Sequence, residues 1–139
     1  MSTEVRATES VAGVVPIRDE WVAIVDALYH QVEGWAKALD WATRRDPEWF
    51  DEPGLGRYQV WRLLVHAPEG RLVFKPVARR VTGAQGLIDL FVLPSYDPML
   101  LVRHDDGEWR IHSFADTSDS RPWAESTFVA LAREMFARA

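Results

Sequence analysis

Not one of the 139 residues is cysteine. Disulfides and thiolate metal sites are thereby excluded, and a reducing compartment is favoured. Lysine is almost missing as well. It occurs only at positions 37 and 75, so fourteen of the sixteen basic residues are arginine. No apolar run approaches the roughly 18 residues that a membrane-spanning helix needs. The first residues carry Glu4, Arg6 and Glu9 but no apolar leader core, because Val14-Val15-Pro16 is too short to serve as one. From these absences we expect a cytoplasmic protein with no membrane contact. Net charge is −5, with arginine and acidic residues interspersed along the chain. A phosphate backbone requires a broad basic field, so nucleic acid is not an expected partner.

The usual signatures of chemistry are missing too. No serine sits in a Gly-x-Ser-x-Gly elbow, and there is no phosphate loop, dinucleotide fingerprint or His-Glu-x-x-His pair. The sequence therefore points away from an enzyme, and no cofactor, metal or catalytic residue is expected.

What is present is a change of hydrophobic period. Ile17, Trp21, Ile24, Val25, Leu28, Val32, Trp35, Leu39 and Ala42 recur at spacings of three and four, which predicts a long amphipathic helix over 17–45. Pro16 suits its first turn, and Arg44-Arg45 suit the negative end of its dipole. Gly34 interrupts it at a cost of about 1 kcal/mol relative to alanine, and marks either a kink or a close approach to the sheet. Val22 and Tyr29 widen the apolar surface beyond one stripe, as a second contact face would require. The polar residues 1–15 read as a flexible tail, leaving 16–139 as a single α+β domain. At this size a chain buries roughly 68–70% of its unfolded surface.

Asp46-Pro47 ends the helix in this reading, and 48–56 forms a Pro/Gly loop carrying Trp49 and Phe50. Segments 58–66, 72–81, 87–93, 99–103 and 108–114 then read as strands. Pro76 cannot donate a ladder hydrogen bond and demands an edge position or a bulge. Residues 87–93 are apolar on both faces apart from Asp89, the pattern of a covered central strand. Asp106-Gly107 marks a hairpin. A polar loop with Asp116, Asp119 and Ser120 supplies a cap for a last helix that begins near Pro122 and buries Phe128, Leu131, Ala132, Met135 and Phe136. The class is α+β: a long N-terminal helix packed on a twisted antiparallel sheet of about five strands, with a short C-terminal helix. In outline this order, with the 106–111 run at the start of a strand, resembles a cystatin-like or nuclear transport factor 2-like roll. Such a resemblance implies a sheet curled around the helix, with room for a small molecule.

Asp89 is the sharpest site candidate, since a carboxylate mid-strand in the most apolar segment needs a partner. It is expected to pair with an arginine such as Arg62 or Arg79. In the alternative it faces a cavity as a ligand anchor or a weak acid–base group. His104, Asp105, Asp106 and His112 share one hairpin but have a sufficient explanation in turn chemistry. Of the seven tryptophans, most are assigned to the core. Trp41 and Trp49, with Phe50, are the expected exposed aromatic patch. The functional expectation is a non-enzymatic binding or accessory module acting through protein–protein contacts, including those with a second copy of itself. The alternative is a pocket protein built on a curled sheet.

Overall fold

The helical stripe forms α1, which in a computed structural model of the chain spans Ser2–Ala38. The structure describes residues 2–113 and 119–139, with side chains from residue 15 onward. The helix takes in the stretch read as a tail, so Pro16 lies inside it rather than at its start. Its inner face carries Trp21, Val25, Leu28, Tyr29, Val32 and Ala36, all buried. Tyr29, expected outside the stripe, is fully buried and donates its hydroxyl to the Phe74 carbonyl at 3.3 Å. Burial drives its pKa well above the ordinary tyrosine value. Gly34 lies within the continuous helix and makes no close approach to the sheet, because nothing lies within 4 Å of the place its Cβ would occupy. Among the described residues no helix is long and apolar enough to cross a membrane.

The helix ends at Ala38 rather than Arg45 because Asp40 turns left-handed, with φ of 58°. The Asp40 and Trp41 amides then donate back to Lys37 and Ala36 at 3.1 and 2.9 Å, a Schellman-type closure. Aspartate tolerates that conformation better than most residues, though less well than glycine. The chain reverses into β1 (Ala42–Glu52), which replaces the expected helix end and loop. Arg45, read as a helix-dipole partner, instead reaches from β1 to Glu33 and Asp26 of α1 at 2.8 and 2.5 Å. The Glu33 bond raises its pKa further. β1 lies at the sheet edge, a position that tolerates Pro47.

β2 (Gly56–Ala67), β3 (Gly70–Ala78), β4 (Leu87–Val92), β5 (Met99–Arg103), β6 (Trp109–Ser113) and β7 (Ser120–Pro122) follow. They form one antiparallel meander in sequence order. The sheet therefore has seven strands rather than about five, the additions being the two edges. β3 lies between β2 and β4, so an edge position for Pro76 is ruled out. The bulge is what occurs: register shifts between Pro76 and Ala78, and the extra residue absorbs the missing donor. β7 stands where a helix cap was expected. α2 (Glu125–Arg138) starts later, and its N-cap Ala124 makes no side-chain bond, so Asp119 and Ser120 do not cap it. Asp116 and the strand end at Phe114 lie outside the described residues.

Both helices bury their apolar residues in one cluster on one face of the sheet. Phe128 of α2 sits in its middle, with ring centroids at 5.7 Å from Trp35, 6.2 Å from Trp41, 6.3 Å from Phe74 and 5.8 Å from Trp123. Aromatic rings thus pack around Phe128 between the helices and the sheet.

Candidate functional site

Alternation along the strands sends Leu63, Val65, Leu72, Phe74, Ile88 and Leu90 toward the helices. Leu64, Val73 and Phe91 point the other way and make a second, separate cluster. The ladder sets them side by side, Leu64 opposite Val73 and Val73 opposite Phe91. All three are buried, yet both helices contribute only to the other cluster. The period of 87–93 revealed that β4 is apolar on both faces, but its outer face is screened by a loop rather than covered by a layer.

Asp89 lies one step along this outer face, opposite Lys75 on β3 and Leu100 on β5. It is 8% exposed, the one charged or polar residue buried among those described. Among the described residues the expected arginine pairing does not occur. Arg79 is bound to Glu52 at 2.9 Å, and Arg62 lies 3.5 Å from Asp46. The group that reaches Asp89 is Tyr96, whose hydroxyl donates to the carboxylate. Tyr96 comes from the 93–98 connection, and its ring stands edge-on against Phe91 at 4.8 Å. The bond to Asp89, with some burial, pushes the Tyr96 hydroxyl up to about 12. A neutral phenol thus serves where a cation was expected. The sequence signal for Tyr96 was a lone aromatic between Pro94 and Pro98, directly after the strand carrying Asp89. Proximity in sequence alone could not say that the ring folds back.

The expected aromatic patch does not assemble. Trp41 is buried beneath α2, against Phe128 and Phe136 at 6.2 and 5.9 Å, because the helix stops before it. Phe50 is half-buried, edge-on to Tyr58 at 5.7 Å. Trp49 alone is exposed, at 58%, with the Arg57 guanidinium 4.7 Å above its ring. It shares a shallow cleft of about 320 Å³ with Val77, Arg79 and Arg80.

At the end of β1, Glu52 accepts from the Tyr58 hydroxyl at 2.7 Å and from Arg79 Nε at 3.0 Å. Burial alone would raise the Glu52 pKa, but these two donors and the Arg79 charge outweigh it, and the net direction is down. Tyr58 is correspondingly raised, by burial and then by its bond to Glu52. Because the folded-state pKa is depressed, the stabilisation is present at neutral pH and is lost as pH falls through that value. Glu52→Gln should therefore cost about 1.5–3 kcal/mol at pH 7, the range for hydrogen bonds to a charged group. Urea melts of parent and variant should converge once the pH falls below the ordinary glutamate range and through the lowered folded-state value, and a gap independent of pH would contradict the assignment.

On the β5–β6 hairpin the turn behaves as its residues suggest. Gly107 has φ of 83°, and Asp106 accepts from the Glu108 amide at 2.9 Å. The two histidines leave the turn and meet, His104 Nε2 lying 3.1 Å from His112 Nε2 with rings stacked at 26°. Such a contact needs one nitrogen as donor and the other as acceptor. No group of three or more His, Cys, Asp or Glu side chains suited to a metal ion occurs among the described residues. Compared with family models, curated proteins and solved structures, the chain matches none.

Proposed function

We propose that the chain is a non-enzymatic binding module that docks a protein partner on the helix-free face of its sheet. The observation that carries this reading is the second apolar cluster. Leu64, Val73 and Phe91 are packed in the centre of a face that neither helix uses. Around them stand Arg62, Asp46 and Lys75, with Asp89 held under Tyr96. Tyr96 is 62% exposed and Val77 44%. Leu64, Val73 and Phe91 are themselves nearly inaccessible, so what a partner would meet is exposed Tyr96 and Val77 above them within a rim of mixed charge, a composition that suits protein recognition. The partner would present an apolar patch of its own, since neither sign of charge dominates the rim.

The pocket alternative draws less support. Asp89 lies on the face away from the helices, and aromatic rings occupy the interior. The grounds for self-association also weaken, because Tyr29 is buried and β3 is internal.

The test is photo-crosslinking in cells. A benzophenone amino acid replaces Tyr96 in one variant and exposed Arg133 of α2 in another. A discrete protein adduct at position 96, missing at 133 and lost when Val77→Glu is added, is the expected result. Equal adducts at both positions, or none at 96, would overturn the reading.

A further inference from the structure

A second cleft lies at the end of the sheet from which the β3–β4 connection emerges, and the docking face does not account for it. One wall is α1, contributing Ile17, Glu20, Trp21 and Ile24. The other is the β3–β4 connection with the end of β5, contributing Arg79, Arg80, Gln85 and Arg103. Its volume is about 280 Å³, near the lower bound for small-molecule sites. Three arginines and one acidic residue, Glu20, line it in a chain whose net charge is −5.

The backbone around the cleft is closely tied. The Gln85 amide donates to the Arg103 carbonyl at 2.8 Å, and the Arg103 amide donates to the Gly86 carbonyl at 2.9 Å. The end of β5 is thereby fixed to the connection, which places Arg103 beside Gln85. Val81 and Ala84 close a tight turn through two mutual bonds of 3.2 and 3.0 Å, with Gly83 at φ of 80° between them. That turn follows directly on Arg79 and Arg80. Arg79 is held by Glu52. Among the described residues neither Arg80 nor Arg103 has a carboxylate within ion-pair distance. Trp21, 1% exposed, forms part of the wall, and its indole N–H has no acceptor.

Arginines without a carboxylate partner recognise carboxylate and phosphate oxygens through forked, charge-assisted bonds. The exposed Ile17 and half-buried Ile24 offer an apolar surface beside them. We infer that this cleft binds a small organic oxyanion, a carboxylate or phosphate ester with a compact apolar body. Arg80 and Arg103 would grip the oxyanion, and Ile17 and Ile24 would cover the apolar part. Glu20 at the rim opposes a second negative charge and favours ligands with one anionic end.

The test is a 1H–15N NMR titration of the full chain with phenyl phosphate, benzoate, inorganic phosphate and phenol. Saturable shifts of the Trp21 indole and of the 79–86 amides are expected with phenyl phosphate or benzoate. Which of the two binds more tightly assigns the headgroup. Arg80→Gln with Arg103→Gln should weaken binding by at least about tenfold, the loss expected for one charge-assisted bond. Glu20→Gln should tighten it. Dispersed spectra and unchanged melting of the exposed-site variants Arg80→Gln and Glu20→Gln exclude unfolding as the cause. No localised shift at 20 mM ligand overturns the inference. So does phenol binding as well as phenyl phosphate, or affinity unaffected by the arginine changes. Tyr96→Ala, on the docking face and outside the lining of this cleft, is expected to leave this titration unaltered, so that either reading can fail without the other.

Discussion

Phe128→Ala should lower the stability of the protein by about 3–5 kcal/mol, the range for removing a large aromatic side chain from a core. Phe128 is fully buried, and its ring meets those of Trp35 from α1, Trp41 from the reversal, Phe74 from β3 and Trp123 before α2. Truncation forfeits the transfer free energy of the ring and leaves a void that four large, mutually packed neighbours cannot easily close. Each favourable ring pair adds about 0.5–1.5 kcal/mol beyond area. α2 is held mainly through this residue and Leu131, Ala132, Met135 and Phe136, since its surface ion pair, Arg121 to Glu134 at 3.1 Å, is exposed and worth little. Urea denaturation followed by tryptophan fluorescence gives the total loss, and amide exchange should show α2 opening before α1. A loss below about 1 kcal/mol would mean that α2 is not docked as described.

The elements legible in the sequence were those whose side chains carry a period. The stripe from Trp21 to Trp35 buries one face of α1, and the runs in β2 to β6 bury one face or, in the centre of the sheet, both; hydrophobic spacing reports burial directly. β1 was not legible for the same reason. Its sequence from Ala42 to Glu52 is polar, no residue in it is buried, and its position is fixed by backbone pairing to β2 and by Arg45. A charged edge strand with a proline is a way of protecting an edge, and it leaves no apolar pattern to read. The helix end was obscured similarly, because the left-handed residue is Asp40 where a glycine would have announced it. At the candidate site the sequence singled out Asp89 through its misfit with its neighbours. It could not supply Tyr96, because the reach of a side chain from a connecting loop is a tertiary fact. The aromatic patch failed on a boundary error: a helix through Arg45 would have exposed Trp41, and a helix ending at Ala38 buries it.

Two glycine-to-alanine changes should move stability in opposite directions and together test the seat of Trp21. Gly34 is exposed in mid-helix, and an added Cβ meets nothing within 4 Å. Alanine there removes backbone freedom from the unfolded chain and should stabilise by about 0.5–1 kcal/mol. Gly86 is buried just before β4, where an added Cβ would stand 2.9 Å from Trp21 Cζ3, 3.2 Å from Cη2 and 3.3 Å from Arg103 Cβ. The first distance is shorter than any carbon pair tolerates, so something must shift. The Trp21 ring is a rigid plane, 1% exposed, and cannot turn aside as a flexible chain would. The Arg103 backbone is tied to Gly86 itself at 2.9 Å. Gly86→Ala should therefore destabilise by about 1–3 kcal/mol, the usual cost of overpacking. Thermal melts of the two single variants and the double measure both effects. The sites share no partner, so the double should equal their sum to within about 0.5 kcal/mol. If Gly86→Ala proves neutral, the ring of Trp21 does not rest against this backbone, and the wall that it provides for the arginine cleft is elsewhere.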